Sequence, residues 1–196
     1  MDKLAIIDLG TNTFNLLIVE PKSKEEFKII YTDKIPVKLG EGGITNNFIS
    51  PAPFQRGLDA VQKHLQTCKQ YEVDDIFAFG TSAIRSALNG NAFTEAIKEQ
   101  TGLNVAVISG QTEAEYIYYG VRQALKFGAE NSLIMDIGGG STEFIICNKD
   151  EVLWKESFDL GVYRIKEMFN PSDPISEAEV EKIKSHLDLV LTPLFQ

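Results

Sequence analysis

The sequence predicts an α/β protein in which mixed sheets are flanked by helices and a strand-turn-strand unit occurs twice. Three observations predict it. Apolar runs with strand or helix period follow in the order β-β-β-α-β-α-β-α, and then three strand-like runs begin again. Two segments, IIDLGTNTFNLLI and IMDIGGGSTEFII, align without a gap, each starting in an apolar run and crossing an acid and a turn of small residues. Composition is that of an ordinary soluble domain, with 43% hydrophobic and 24% charged residues in 196, enough chain for one large domain or two small ones.

The elements follow in order. Strand-like runs occupy 4–8 (LAIID), 14–19 (FNLLIV) and 27–32 (FKIIYT), and a loop rich in Gly, Asn and Pro follows. A helix is expected over 54–70, because Phe54, Leu58, Val61, Leu65 and Cys68 recur at spacings of 4, 3, 4 and 3. The run DIFAFG (75–80) is a fourth strand, leading into the helical stretches TSAIRSAL and 92–101. NVAVI (104–108) is a fifth, and Ser109-Gly110 opens a helix of about fifteen residues near Gln111. The second set comprises SLIMD (132–136), EFIIC (143–147) and VLWKESF (152–158), then helices near 162–169 and 177–191. Ser176 with Glu179 three residues on is a capping-box pattern for the last. The expected domains are 1–128 and 129–196, the second holding fewer strands than the first.

Charge and cysteines narrow the function class. Residues 1–128 carry 13 basic and 15 acidic residues, net −2, while residues 129–196 carry 6 and 13, net −7. That balance argues against non-specific binding of nucleic acid or membrane, so an anionic ligand needs a local pocket of donors. No apolar run approaches the roughly 18 residues that span a bilayer. The chain enters a strand-like run almost at once, which leaves no room for a signal peptide within this sequence. Cys68 and Cys147 lie in unlike contexts and read as buried free thiols, which makes the cytoplasm the expected compartment.

The duplicated turn carries the chemistry. Asp8 falls on Asp136, Gly10 on Gly138, Thr13 on Ser141 and Asn15 on Glu143. Glycine inside a strand-turn-strand weakens it, and is tolerated where the backbone bends sharply or something approaches its N–H groups closely. Turns of small residues expose successive N–H groups and hydroxyls, which makes an anion-binding nest. The acids beneath would repel phosphate unless a divalent cation lies between, so phosphate with Mg²⁺ is the expected ligand. Rival motifs fail: there is no G-x-x-x-x-G-K-[ST], and Glu143 stands where G-x-G-x-x-G needs its third glycine.

Four blocks in order, DLGTNTFNLLI (8–18), GTSAIRSALN (80–89), ISGQTEAEYIYYGV (108–121) and DIGGGSTEF (136–144), with FDLGVYRIKEMF (158–169) as a weaker fifth, resemble the exopolyphosphatase/guanosine pentaphosphate phosphatase family. The resemblance implies the duplicated actin-like ATPase (ribonuclease-H-like) fold, with the active site in the cleft between two lobes, the second lobe incomplete in this sequence. It makes Glu113 the general base that activates water and Arg85 an arginine near the phosphates. Gly10, Thr11, Asn12 and Thr13, with Gly138, Gly139, Gly140, Ser141 and Thr142, become phosphate donors, and Asp136, Glu143 and Asp8 the acids that hold Mg²⁺. Many members of that family carry a basic residue where this chain has Asn15, and larger ones add helical domains beyond the span matched here.

The reaction this implies is hydrolysis of a terminal phosphoanhydride of inorganic polyphosphate or guanosine pentaphosphate, releasing orthophosphate. Two other readings fit the same loops. One is a phosphate or nucleotide sensor that does no chemistry; the other is an ATP-dependent kinase of the same superfamily. Completion of the short second lobe by further chain, or by a second copy in a homodimer, is a further expectation.

Overall fold

The computed structural model describes residues 2–23 and 26–195. Two compact units divide the chain, Met1–Ile108 and Ser109–Gln196.

The first unit is a five-stranded sheet of order β3-β2-β1-β4-β5, built from β1 (Leu4–Leu9), β2 (Thr13–Pro21), β3 (Phe27–Pro36), β4 (Asp75–Gly80) and β5 (Val105–Val107). β1 runs antiparallel to β2 and parallel to β4. The helices are α1 (Pro51–Gln70), α2 (Ser82–Ser86) and α3 (Gly90–Thr101). α1 begins three residues earlier than its apolar period suggests, because Pro51 occupies the first turn, where a missing N–H costs nothing. Alternation on β1 buries Ala5, Ile7 and Leu9 completely, in a core with Leu58, Val61 and Cys68 of α1 and Phe93 and Ile97 of α3. α1 and α3 approach so closely that a Cβ on Gly57 would lie 2.6 Å from the Phe93 ring.

The second unit holds β6 (Ser132–Ile137), β7 (Thr142–Cys147) and β8 (Val152–Phe158) in an antiparallel sheet of order β6-β7-β8, with α4 (Gly110–Ala124), α5 (Val162–Phe169) and α6 (Glu177–Val190). The Ser176–Glu179 capping box at the start of α6 is formed. α4 precedes β6 in sequence by a short connection and packs on β7 and β8, with Ala114 and Tyr118 against Ile145 and Cys147. The opposite face gathers Phe144, Phe158 and Leu160 beneath Ile165 of α5 and Leu187 and Val190 of α6. β7 is therefore covered on both faces, and its outer neighbour β6 is not. Leu133, Met135 and Ile137 remain 59%, 54% and 53% exposed, although by alignment they match the buried Ala5, Ile7 and Leu9.

Both cysteines are buried free thiols, Cys68 in the first core and Cys147 in the second. Among the described residues no helix is long and apolar enough to cross a membrane.

Candidate functional site

The duplication seen in the sequence is a duplication in space. Asp8 and Asn15 are cross-strand partners on β1 and β2, as Asp136 and Glu143 are on β6 and β7. Each turn closes with the same bond: Gly10 N–H donates to Thr13 O at 3.2 Å, and Gly138 N–H to Ser141 O at 3.0 Å. A Cβ on Gly10 would sit 2.8 Å from Thr13 O, and one on Gly138 3.1 Å from Ser141 O, so close approach explains the glycine at both positions. Handedness does not, since the glycines with positive φ are Gly42 and Gly102.

In each loop, neighbouring segments take the carbonyls. In the first unit Val37 and Lys38 donate to Asn12 O, Gly40 to Thr11 O, and Thr81 to Leu9 O. In the second, Val162 N–H donates to Gly138 O at 3.0 Å, and Tyr163 and Arg164 N–H to Gly139 O at 2.9 and 3.2 Å. Among the described residues, the N–H groups of Gly139, Gly140 and Ser141 find no acceptor in the protein. A run of such amides is the electropositive concavity that binds an anion. The Thr142 hydroxyl donates to Leu160 O at 3.1 Å, so its one proton already has a structural partner.

Two of the expected acids face each other in the second unit, under the helix that carries a third. Cross-strand partners lie on one face of a sheet, so Asp136, Glu143 and Ser157 stand on the face that also carries Ile145 and Cys147, beneath α4. Glu113 is in the first turn of α4, half-buried, one turn ahead of Ile117, which packs against that cluster. Ser109 caps the helix, its hydroxyl accepting from Thr112 N–H. Gln111 anchors the same turn to β8, donating to Lys155 O at 3.2 Å and Glu156 Oε2 at 3.1 Å. One turn on, Lys155 pairs with Glu115 at 2.8 Å, and this ammonium, with Tyr119, holds the Glu115 carboxyl below its usual range.

Glu143 is 2% exposed and accepts from Ser157 Oγ at 2.7 Å. A carboxylate so buried has to be hydrogen-bonded or paired, and a cation would serve. In the first unit, Asn15 Nδ2 donates to Asp8 Oδ2 at 2.9 Å, where the second unit has two acids facing. Among the described residues no group of three or more His, Cys, Asp or Glu is close enough together to hold a metal. The Asp136–Glu143 pair still suits Mg²⁺, which takes one or two carboxylates and fills its remaining positions with phosphate oxygens and water. Arg85 lies on α2, with Nη1 donating to Ile108 O at 3.0 Å.

Sequence reasoning missed Ser157, Gly161 and Arg164. Ser157 holds Glu143; Arg164, 6% exposed, donates from Nε to Gly140 O at 3.0 Å and pairs with Asp159 at 3.3 Å. The weaker fifth block, FDLGVYRIKEMF, was the available signal, with an arginine in the first turn of a helix.

The Ppx/GppA phosphatase family matches residues 17–196. The chain belongs to that family. It is 36% identical over 84% of its length to a bifunctional 3-dehydroquinate synthase/phosphatase of Fusobacterium nucleatum, covering 26% of that protein. It is 32% identical over 95% of its length to a guanosine-5'-triphosphate,3'-diphosphate pyrophosphatase of Pseudoalteromonas atlantica, covering 37% of it. Among solved structures, an exopolyphosphatase from Cytophaga hutchinsonii superposes with a TM-score of 0.95 at 41% identity, over 98% of this chain and 62% of that one. The Aquifex aeolicus PPX-GPPA enzyme gives 0.77 at 27% identity, over 98% and 64%. The chain thus spans roughly a quarter to two fifths of these curated relatives and under two thirds of these solved ones. With sheets of order β3-β2-β1-β4-β5 and β6-β7-β8, the Ppx/GppA chain has the duplicated actin-like fold, its second sheet shorter than its first.

Proposed function

We propose that this chain carries the catalytic centre of a phosphatase acting on terminal phosphoanhydride bonds, with inorganic polyphosphate or guanosine pentaphosphate as substrate and orthophosphate as product. One observation carries the reading: Asp136 and Glu143 face each other on the sheet face that α4 covers, the first turn of α4 carries Glu113, and the loop next to the pair has amides with no acceptor among the described residues. The N–H groups of Gly139, Gly140 and Ser141 would bind oxygens of the terminal phosphate, with Gly138 closing the turn and Thr142 anchoring it. In the first unit, Gly10, Thr11, Asn12 and Thr13 form a loop of the same kind, with Asp8 at its base, and Arg85 would supply a cation to the phosphates. Asp136 and Glu143 would hold Mg²⁺, with Ser157 fixing the Glu143 carboxylate. When bound, the ion offsets phosphate charge and polarises the terminal group. Glu113 would accept a proton from water as its oxygen attacks the terminal phosphorus and the bond to the bridging oxygen breaks. Most of the rate would come from positioning and from donors already in place. The names borne by the relatives support the substrate class, and two buried free thiols support a reducing cytoplasm.

The test is orthophosphate release from polyphosphate by the full chain and by Glu113→Gln. The amide is nearly isosteric, so binding should persist while turnover falls about 10²–10⁴-fold, the usual cost of losing a general base. A variant that keeps more than about a tenth of the activity removes Glu113 from that role. Tight binding with no turnover by the parent chain would favour the sensor reading.

A further inference from the structure

The first N–H groups of a helix have no acceptor within it. In α5 they are spent on the glycine loop, through Val162, Tyr163 and Arg164 to the carbonyls of Gly138 and Gly139. The Arg164 side chain adds the next carbonyl, Gly140 O, through Nε. Contact is so close that a Cβ on Gly161 would lie 2.3 Å from Gly139 C and O and from Gly140 N. Three consecutive peptide carbonyls are therefore held towards α5. In a planar trans peptide the carbonyl of one residue and the N–H of the next point in opposite directions. Fixing the carbonyls of Gly138, Gly139 and Gly140 thus aims the N–H groups of Gly139, Gly140 and Ser141 away from α5, and these are the three without an acceptor.

We propose that Arg164 is a positioning residue: with the start of α5 it locks the orientation of the loop peptides and so assembles the anion site without touching the anion. This rests on the loop being the phosphate site. A long flexible side chain could not do this cheaply at the surface. Arg164 can because it is buried and its guanidinium is itself held by Asp159.

The experiment uses the full chain, with inorganic polyphosphate as probe, and reads both affinity and backbone amide exchange. Arg164→Met keeps the unbranched stem as far as the position of Nε and removes every side-chain donor. Exchange at Val162, Tyr163 and Arg164, whose N–H groups bond the loop carbonyls, should accelerate about tenfold or more, while β1 and β2 amides stay unchanged, and affinity should fall about ten- to a hundredfold, the measure of one lost charge-assisted hydrogen bond. Arg164→Lys, with the charge but one flexible donor, should fall between, and decides by the same two readouts should Arg164→Met not fold. Unchanged exchange at Val162, Tyr163 and Arg164, or unchanged affinity, in the folded variant overturns the proposal. Gly139→Val separates the two ideas. If it loses binding while Arg164→Met binds normally, only the role of Arg164 falls. If it binds normally, the loop is not the phosphate site and both fall.

Discussion

His64 is fully buried on α1, with Nε2 3.3 Å from Phe14 O. A carbonyl only accepts, so Nε2 carries the proton, and Nδ1 makes no hydrogen bond although Asp33 lies 3.7 Å away. Burial pushes the imidazole below its ordinary value near 6.5, and the Phe14 carbonyl and Asp33 carboxylate oppose the shift only in part. The folded ring therefore takes up a proton less readily than the unfolded one. Its contribution is complete above about pH 6.5 and is lost as pH falls through that value towards the folded one. The thermal midpoint should fall as pH drops from about 6.5 towards 5. His64→Gln should flatten that slope, as followed by circular dichroism. An unchanged slope would mean that other groups set the acid limit.

β1 and β6 are the same element in two settings. Ala5, Ile7 and Leu9 are sealed under helices, and β4 pairs along the β1 edge. Leu133, Met135 and Ile137 have neither cover, and β6 is an edge of its sheet. An apolar edge with unpaired N–H and C=O groups invites another strand. The full chain is expected to self-associate as concentration rises, and Met135→Lys to suppress this, as read by sizing chromatography with light scattering. A clean monomer throughout would show that the edge is protected. The strands and helices themselves were legible in the sequence because period 2 and period 3.6 separate cleanly, as in LAIID and over residues 54–68. Which sheet a helix covers was not legible. α4 precedes the second set of strands, yet it packs on β7 and β8. Glu143 was similarly opaque: alternation with Phe144 and Ile146 suggests an exposed position, but helices lie on both faces of β7 and bury it.

Across the whole molecule, the loops of the candidate site were readable because the chain states them twice, with Asp8, Gly10 and Asn15 answered by Asp136, Gly138 and Glu143. Arg164 and Gly161 were not, since their partner is a loop some twenty residues away that only folding brings near. The two units also differ in how much core each has. The first packs Leu58, Val61, Phe93 and many others around its sheet, whereas Ala114, Tyr118, Ile145 and Cys147 make up a small separate cluster in the second. Each core happens to contain one thiol, and burial raises the pKa of both, so neither reacts with an alkylating reagent until its surroundings open. The chain therefore carries a separate chemical clock for each unit without any engineering. Under native conditions Cys147 should be alkylated before Cys68, with the two sites resolved by peptide mass spectrometry. Equal rates at all denaturant concentrations would mean instead that the two cores melt in one step.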